Sequence, residues 1–272
     1  MFDMDHTTQT LYTLEQLSAG RSALHRLHPG VKILAALFFM VTVISFNRYS
    51  LGRIVPFLFY PCILIAWGDI PLGLLLGRTA LALPFCLFAG ISNLIFERSI
   101  AVTLLNIPIS YGLLSLLTLL LRTLLCVAAV LILMAVTPLT RITAQLRRFR
   151  CPALFVTLLE ISYRYIAVLI AEASSMYTAY ILRSGGAKGI ELKHMGSFIG
   201  HLFLRSADRA ERVYAAMKCR GYDLDKAPRY PLALCAVDIR FLALVCGFCI
   251  LFRVVDVSAL LGSLIRMVVW QL

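Results

Sequence analysis

Tyr111–Val136 reads YGLLSLLTLLLRTLLCVAAVLILMAV, an unbroken apolar run with a single charge, Arg122, near its middle. A helix crossing the roughly 30 Å hydrocarbon core of a bilayer needs about 20 such residues, so this run is predicted to span a membrane. The chain around it agrees. Of its 272 residues, 60% are hydrophobic and 15% charged, with a mean hydropathy of +0.86. That composition excludes a soluble globular domain and points to one polytopic membrane domain.

Working outward toward the amino terminus, Val31–Phe46 and Leu51–Trp67 are the first two spanning candidates, the second bent by Pro56 and Pro61. Leu72–Phe96 is a third, longer than one crossing needs, with Arg78 at its interface end. Glu97–Ser110, which contains Pro108, reads as a loop. Ahead of the spans, Leu11, Leu14 and Leu17 suggest a short amphipathic helix on the membrane surface. No cleavable signal peptide is expected, because about 30 polar residues precede the first apolar run. Arg122 lies deep in the fourth span. A lone arginine at mid-membrane costs about 2.5–3.5 kcal/mol even on insertion scales, so it is expected to face protein or water rather than lipid.

Beyond Thr137-Pro138 the pattern changes. Fifteen of the 26 lysines and arginines fall between Thr137 and Tyr230, with seven acids among them. Basic residues concentrated in one long segment mark a cytoplasmic region by the positive-inside rule, rather than a nucleic-acid surface. Leu139–Phe149 is short and ends in Arg147, Arg148 and Arg150; Pro152–Arg183 is long and amphipathic, with Glu160 and Arg164 spaced to pair along the helix. Ser184–Gly189 breaks the chain before Lys193–Arg220. Leu232–Phe252 returns as a span, interrupted early by Asp238 and Arg240. Ser258–Leu272 is apolar but only about 22 Å long as a helix, and its crossing is left open.

Within the basic region, RSADRAERVYAAMKCRG (Arg205–Gly221) places Arg205, Arg209, Arg212 and Arg220 inside one helical arc of roughly 80°. Phe203, Ala210, Val213, Tyr214 and Met217 line a neighbouring apolar arc, and Asp208 is one turn from Arg205 and Arg212. Gly221 ends the helix with Arg220 beside its negative pole. The helix before it ends alike, at Arg183-Ser184-Gly185. An arginine exposed at a helix terminus can anchor in a partner's groove by charge-assisted hydrogen bonds.

Chemistry is sparse. Gly185-Gly-Ala-Lys188-Gly189 lacks the spacing and hydroxyl of a phosphate-binding loop, and neither a hydrolase motif nor paired carboxylates occur in the sequence. His25 and His28 lack a third ligand nearby, and Cys246-Gly-Phe-Cys249 lacks a second pair, so no metal site and no catalytic residue is expected.

Ser22-Ala-Leu-His25-Arg-Leu-His28-Pro29-Gly-Val-Lys32, Thr137-Pro138, Cys151-Pro152 and Arg205–Gly221 together resemble the transmembrane T component of energy-coupling factor (ECF) transporters, in the cobalt or nickel uptake type. His28 stands where that family usually has aspartate. Cys219-Arg220-Gly221 and Arg183-Ser184-Gly185 fall where the family carries two Ala-Arg-Gly motifs, the first with its glycine one position late. The resemblance implies an all-α polytopic membrane protein with five or six transmembrane helices and a cytoplasmic platform of amphipathic coupling helices. In that scheme residues 1–30 form an amphipathic leading segment and 31–136 four spans. Residues 137–230 form the coupling region and 231–272 the C-terminal span or spans. It implies that the chain binds no cofactor, with ATP and magnesium on two ABC-type ATPase subunits and cobalt or nickel on a membrane substrate-capture subunit. A small accessory membrane protein can join them in the cytoplasmic membrane of a bacterium or archaeon. A T component serving a vitamin-capture subunit is the nearest alternative, and a self-sufficient permease a more distant one, since no internal repeat is visible.

Overall fold

The computed structural model describes residues 20, 22–96, 100–104, 107–185, 189–223 and 234–254. The expected amphipathic helix around Leu11–Leu17 and the segment Ser258–Leu272 lie outside the described residues. The protein is an all-α polytopic membrane protein, apart from one two-stranded hairpin among the described residues. Its helices are α1 (Ala23–Arg26), α2 (Pro29–Ile44), α3 (Leu51–Ile54), α4 (Phe59–Gly68), α5 (Leu72–Ala80), α6 (Leu83–Phe96), α7 (Tyr111–Val136), α8 (Leu139–Arg148), α9 (Ala153–Arg183), α10 (Leu192–Cys219) and α11 (Ala236–Val254). Four stretches are long and apolar enough to cross a bilayer: Leu51–Gly68, Leu75–Ser92, Tyr111–Val136 and Ala153–Arg183. Helix α2 is apolar but shorter, and α11 carries Asp238, Arg240 and Arg253.

Two compact units are present. One comprises Leu17–Pro138 with Leu232–Leu272, the other Leu139–Pro231 with Met1–Gln16.

In the first unit, local chemistry sets the helix ends. The Ser110 hydroxyl accepts from the Leu113 amide at 3.2 Å and starts α7. Pro138 forces Thr137 into extended geometry (φ −133°, ψ 111°) and stops it. Pro29 opens α2, where its missing N–H costs nothing, and the His28 imidazole caps the Gly30 amide at 3.1 Å. Two expectations change. Leu72–Phe96 is two helices, not one, with a turn at Leu81-Ala82, because Pro84 cannot donate to the Ala80 carbonyl and its ring crowds that carbonyl. Pro56 acts likewise in the second span, giving a 3-10 turn at Val55–Leu58. The stretch read as a loop also contains a hairpin, β1 (Ile100–Leu104) against β2 (Ile107–Ser110), with Pro108 opposite Thr103. Pro108 is tolerated because a two-stranded ladder consists of edge strands.

The core of this unit joins α2, α4, α7 and α11. Phe57 is its hub. Its ring lies 6.0 Å from Phe39, 5.3 Å from Phe46 and 5.9 Å from Phe248, while Phe39 stacks on Tyr60 at 4.1 Å. In lipid such contacts hold helices by close van der Waals fit rather than by expelling water. Gly90 shows how close that fit is: a Cβ there would meet Leu116 Cγ on α7 at 2.9 Å.

Helix α2 has 16 residues and is about 24 Å long, short of the ~30 Å that a crossing requires. The three residues that follow it, Ser45–Asn47, are met by arginines from two other helices. Arg122 Nη2, from α7, donates to Phe46 O at 2.5 Å and to Asn47 O at 3.4 Å. Arg253 Nη2, from α11, donates to Ser45 Oγ at 3.1 Å and Ser45 O at 3.4 Å, and its guanidinium lies 4.5 Å over the Phe46 ring. Arg122 Nε is buried without a partner among the described residues.

At the opposite end of α2, Lys32 is 5% exposed and donates from Nζ to Val136 O and His25 O, each at 3.3 Å. Asp238, 4% exposed, accepts from the His28 amide at 2.7 Å and the Cys235 amide at 2.8 Å. The histidines read as a possible metal pair are thus both buried, with Ser22 Oγ 2.7 Å from His25 Nδ1. Among the described residues no cluster of three or more His, Cys, Asp or Glu could hold a metal ion.

Two outcomes are expected in detergent. Gly90→Ala forces Leu116 aside and should destabilise the bundle by about 1–3 kcal/mol, while Gly73→Ala, where nothing lies within 4 Å, should leave it unchanged or slightly firmer; thermal unfolding of the two variants compares them. Arg122→Leu leaves the Phe46 carbonyl unpaired and should cost about 1–3 kcal/mol of folded-state stability, with membrane insertion undiminished, as read by thermal melting alongside the yield of inserted protein.

Candidate coupling surface

The second unit is built from α8, α9 and α10. Helix α8 lies against the start of α9: Thr143 Oγ1 donates to Glu160 Oε1 at 2.9 Å, and Arg147 Nη2 to Thr157 Oγ1 at 3.1 Å. Glu160 is therefore held by Thr143 rather than by Arg164, whose guanidinium instead lies 5.3 Å over the Tyr165 ring. Between the helices Arg150 takes a left-handed conformation (φ 64°), and the Cys151 amide bonds Leu146 O at 3.2 Å. Pro152 then starts α9.

Among the described residues helix α9 meets α10 at two places. Tyr180 Oη lies 3.0 Å from His194 Nδ1, with ring centroids 5.7 Å apart. Farther along, Glu172 pairs with Arg205 and, at 3.7 Å, with Arg209. Residues 172 and 180 ascend α9 while their partners descend α10, so the two helices run antiparallel where they meet. Arg205 thus pairs across to α9 and not with Asp208 one turn away, because Glu172, about one-quarter exposed, offers a less hydrated carboxylate within reach of both arginines. At the start of α10, Lys193 Nζ lies 2.8 Å from Glu191 Oε2. That hydrogen bond and the ammonium charge hold the Glu191 carboxyl below its ordinary range and lift Lys193 above its own. Both groups are fully exposed, so the pair fixes the local turn and adds little stability.

The six residues of the two terminal motifs sit at the two helix ends. Arg183 is the last residue of α9. The Ser184 amide bonds Tyr180 O at 2.9 Å, its hydroxyl bonds Ile181 O at 3.0 Å, and Gly185 follows at φ 69°. Cys219 closes α10. The Gly221 amide bonds Lys218 O and the Tyr222 amide Met217 O, each at 3.0 Å, with Gly221 at φ 62°. This doubly bonded stop is the Schellman arrangement, which needs a left-handed residue that glycine supplies without strain. All six residues are exposed. The structure does not bring the two motifs together, since about 40 Å of helix α10 separates Leu192 from Cys219.

Along the stripe, Arg205 and Arg209 are engaged by Glu172. Arg212, Arg183 and Arg220 form no side-chain ion pair among the described residues. Helix α10 has no buried residue in its 28 positions, and Phe203 and Tyr214 on its apolar arc are 68% and 64% exposed. A long helix with an apolar arc, unpaired arginines and capped ends is suited to receive another surface. Arg122, expected deep in its span, belongs to the other unit, where it bonds the carbonyls just past the end of α2. The residues that sequence reasoning passed over are Lys32 and Asp238 as buried anchors and Arg253 as the second arm on α2. Asp238 and Arg253 carried one signal, charges inside an apolar run; their targets carried none.

The sequence profile of the cobalt transport protein family CbiQ matches residues 20–231. The chain is 32% identical over 133 residues to a putative fused cobalt transport protein CbiMQ of Methanocorpusculum labreanum, covering 46% of this chain and 22% of that one. It is 27% identical over 240 residues to an uncharacterized protein of Methanocaldococcus jannaschii, covering 80% and 78%. It is 30% identical over 87 residues to the nickel permease LarQ of Lactiplantibacillus plantarum, covering 32% of each. The match thus spans about a fifth of the fused archaeal protein and a third of the permease. With most of its length matched to that profile and its apolar helices assembled into a multi-pass bundle, the chain belongs to the CbiQ family of cobalt transport proteins.

Proposed function

We propose that this chain is the transmembrane coupling subunit, or T component, of an ECF-type ABC transporter that takes up cobalt or nickel ions. Two ABC-type ATPase subunits bind the exposed ends of α9 and α10, and a separate membrane subunit captures the ion, with a small accessory membrane protein as a further partner. ATP and magnesium stay on the ATPases and the ion on the capture subunit. The Leu139–Pro231 unit lies at the cytoplasmic side of the membrane, in keeping with its excess of basic residues. Helix α9, long and apolar enough to cross a bilayer, lies in or against its cytoplasmic face.

The observation that carries this reading is the contrast among the arginines. Arg205 and Arg209 are consumed in holding α10 to α9, whereas Arg183 and Arg220 are exposed at two capped helix ends with no ion pair among the described residues. Guanidinium groups so placed supply planar donors to carboxylates or carbonyls on a partner. Closure of an ATPase pair moves the two helix ends together or apart, and helices held at their crossing by Glu172 carry that movement as levers. The family and the named relatives support cobalt as cargo, and a nickel permease among those relatives supports nickel.

As a helix cap alone, Arg220 is worth about 0.3–1 kcal/mol, too little to unfold the chain; as an anchor in a groove its loss costs about 2–5 kcal/mol at that contact. Arg220→Glu should leave the protein folded, inserted and bound to its capture subunit, while ATPase co-purification falls and ion uptake is abolished. Arg183→Glu should do the same in part and the double variant completely. Wild-type ATPase binding and uptake in both single variants at equal expression would reduce the arginines to caps and overturn the coupling role.

A further inference from the structure

The chain passes between the two units at three places, between Gln16 and Leu17, between Pro138 and Leu139, and between Pro231 and Leu232. On the membrane side of the last two, the chain is bonded to one short segment, His25–Lys32. Lys32 Nζ donates to the carbonyl of Val136, two residues before Pro138, and to His25 O. Asp238, six residues beyond Leu232, accepts from the amide of His28 through Oδ1 and from the amide of Cys235 through Oδ2. Lys32 and Asp238 are 5% and 4% exposed, and Thr137, between Val136 and the proline, is 1% exposed. A buried ammonium and a buried carboxylate are costly to desolvate and persist where hydrogen bonds repay the cost. Ordinary helix capping accounts for either bond singly. It does not account for the chain beside two separate crossings being fastened to the same eight residues.

We infer that His25–Lys32 is the anchor through which displacement of the Leu139–Pro231 unit is delivered to the membrane bundle, with Lys32 and Asp238 as its positioning residues. Each bond is short-range and directional, and each ends on backbone rather than on a pliant side chain. A pull at Pro138 or at the start of α11 therefore moves α2 and α11 as one body. Without the two bonds, the extended residues at Thr137 and the start of α11 take up the displacement and ATP is hydrolysed without ion movement. This inference rests on the coupling role proposed above.

The test uses the intact complex with both ATPases and the capture subunit, reconstituted in vesicles. Cobalt uptake and ATP hydrolysis are measured together, and their ratio is the readout. Lys32→Met should keep assembly and hydrolysis within twofold of wild type while lowering the uptake-to-hydrolysis ratio at least tenfold; Lys32→Arg, which retains a donating cation, should recover most of it. Asp238→Asn, which keeps volume but loses one acceptor, should lower the ratio severalfold. An unchanged ratio in Lys32→Met overturns the inference. If Lys32→Met does not assemble, Asp238→Asn carries the comparison, and an unchanged ratio there overturns it equally. Failure of both variants to assemble overturns it too, making the segment a folding element alone. A wild-type chain that never retains ATPases would instead overturn the coupling role and is read from the unmodified complex.

Discussion

A backbone carbonyl released at a helix end inside a bilayer has no water to bond, so the protein itself must supply a donor. The membrane unit meets this constraint with cations. Helix α2 is shorter than a full crossing, and just past its C-terminus Arg122 and Arg253 converge on Ser45, Phe46 and Asn47. At its other end Lys32 serves the last carbonyl of α7. Each pairing offsets two costs, the orphan carbonyl and the buried charge, neither of which is tolerable singly. The negative pole at a helix C-terminus adds to the attraction. Around these points the aromatic contacts of Phe57, Phe39 and Phe248 close the bundle.

The Leu139–Pro231 unit follows different physics. Its helices bury few residues, and α10 buries none, so internal packing contributes little to holding α10 in place. Directional bonds do that work: Thr143 to Glu160, Arg147 to Thr157, Tyr180 to His194, and Glu172 to two arginines. A helix fixed at one crossing and left uncovered along its length is stiff yet available to partners. This accords with a part that receives force, whereas the dense Gly90–Leu116 contact in the other unit belongs to a part that must not deform.

Much of the architecture was legible because its signals act over a few residues. Tyr111–Val136 starts at a capping serine and ends before a proline, and the helix has those bounds. Gly221 announces a left-handed stop and adopts one. Where sequence reading failed locally, the signals competed. Pro84 sits in an apolar run whose hydropathy masks the break, and the residues flanking Pro108 pair as strands although proline there suggested a loop. The exposed termini at Arg183 and Arg220 were visible from the helix breakers beside them, since a breaker fixes where a helix stops.

The sequence by itself determined that the chain is helical and membrane-embedded, where its longest runs begin and end, and which stretch is basic. Hydropathy and capping are properties of neighbouring residues, and composition settles what solvent they tolerate. Only the tertiary structure decided what the charges inside those runs are for. Arg122 finds its carbonyl 76 positions away and Asp238 its amide 210 away. Glu172 took Arg205 from the nearer Asp208 because antiparallel packing brought it within reach. No local pattern encodes such partners: they are chosen when helices far apart in the chain are packed side by side, and a buried charge then pairs with the group that packing leaves beside it.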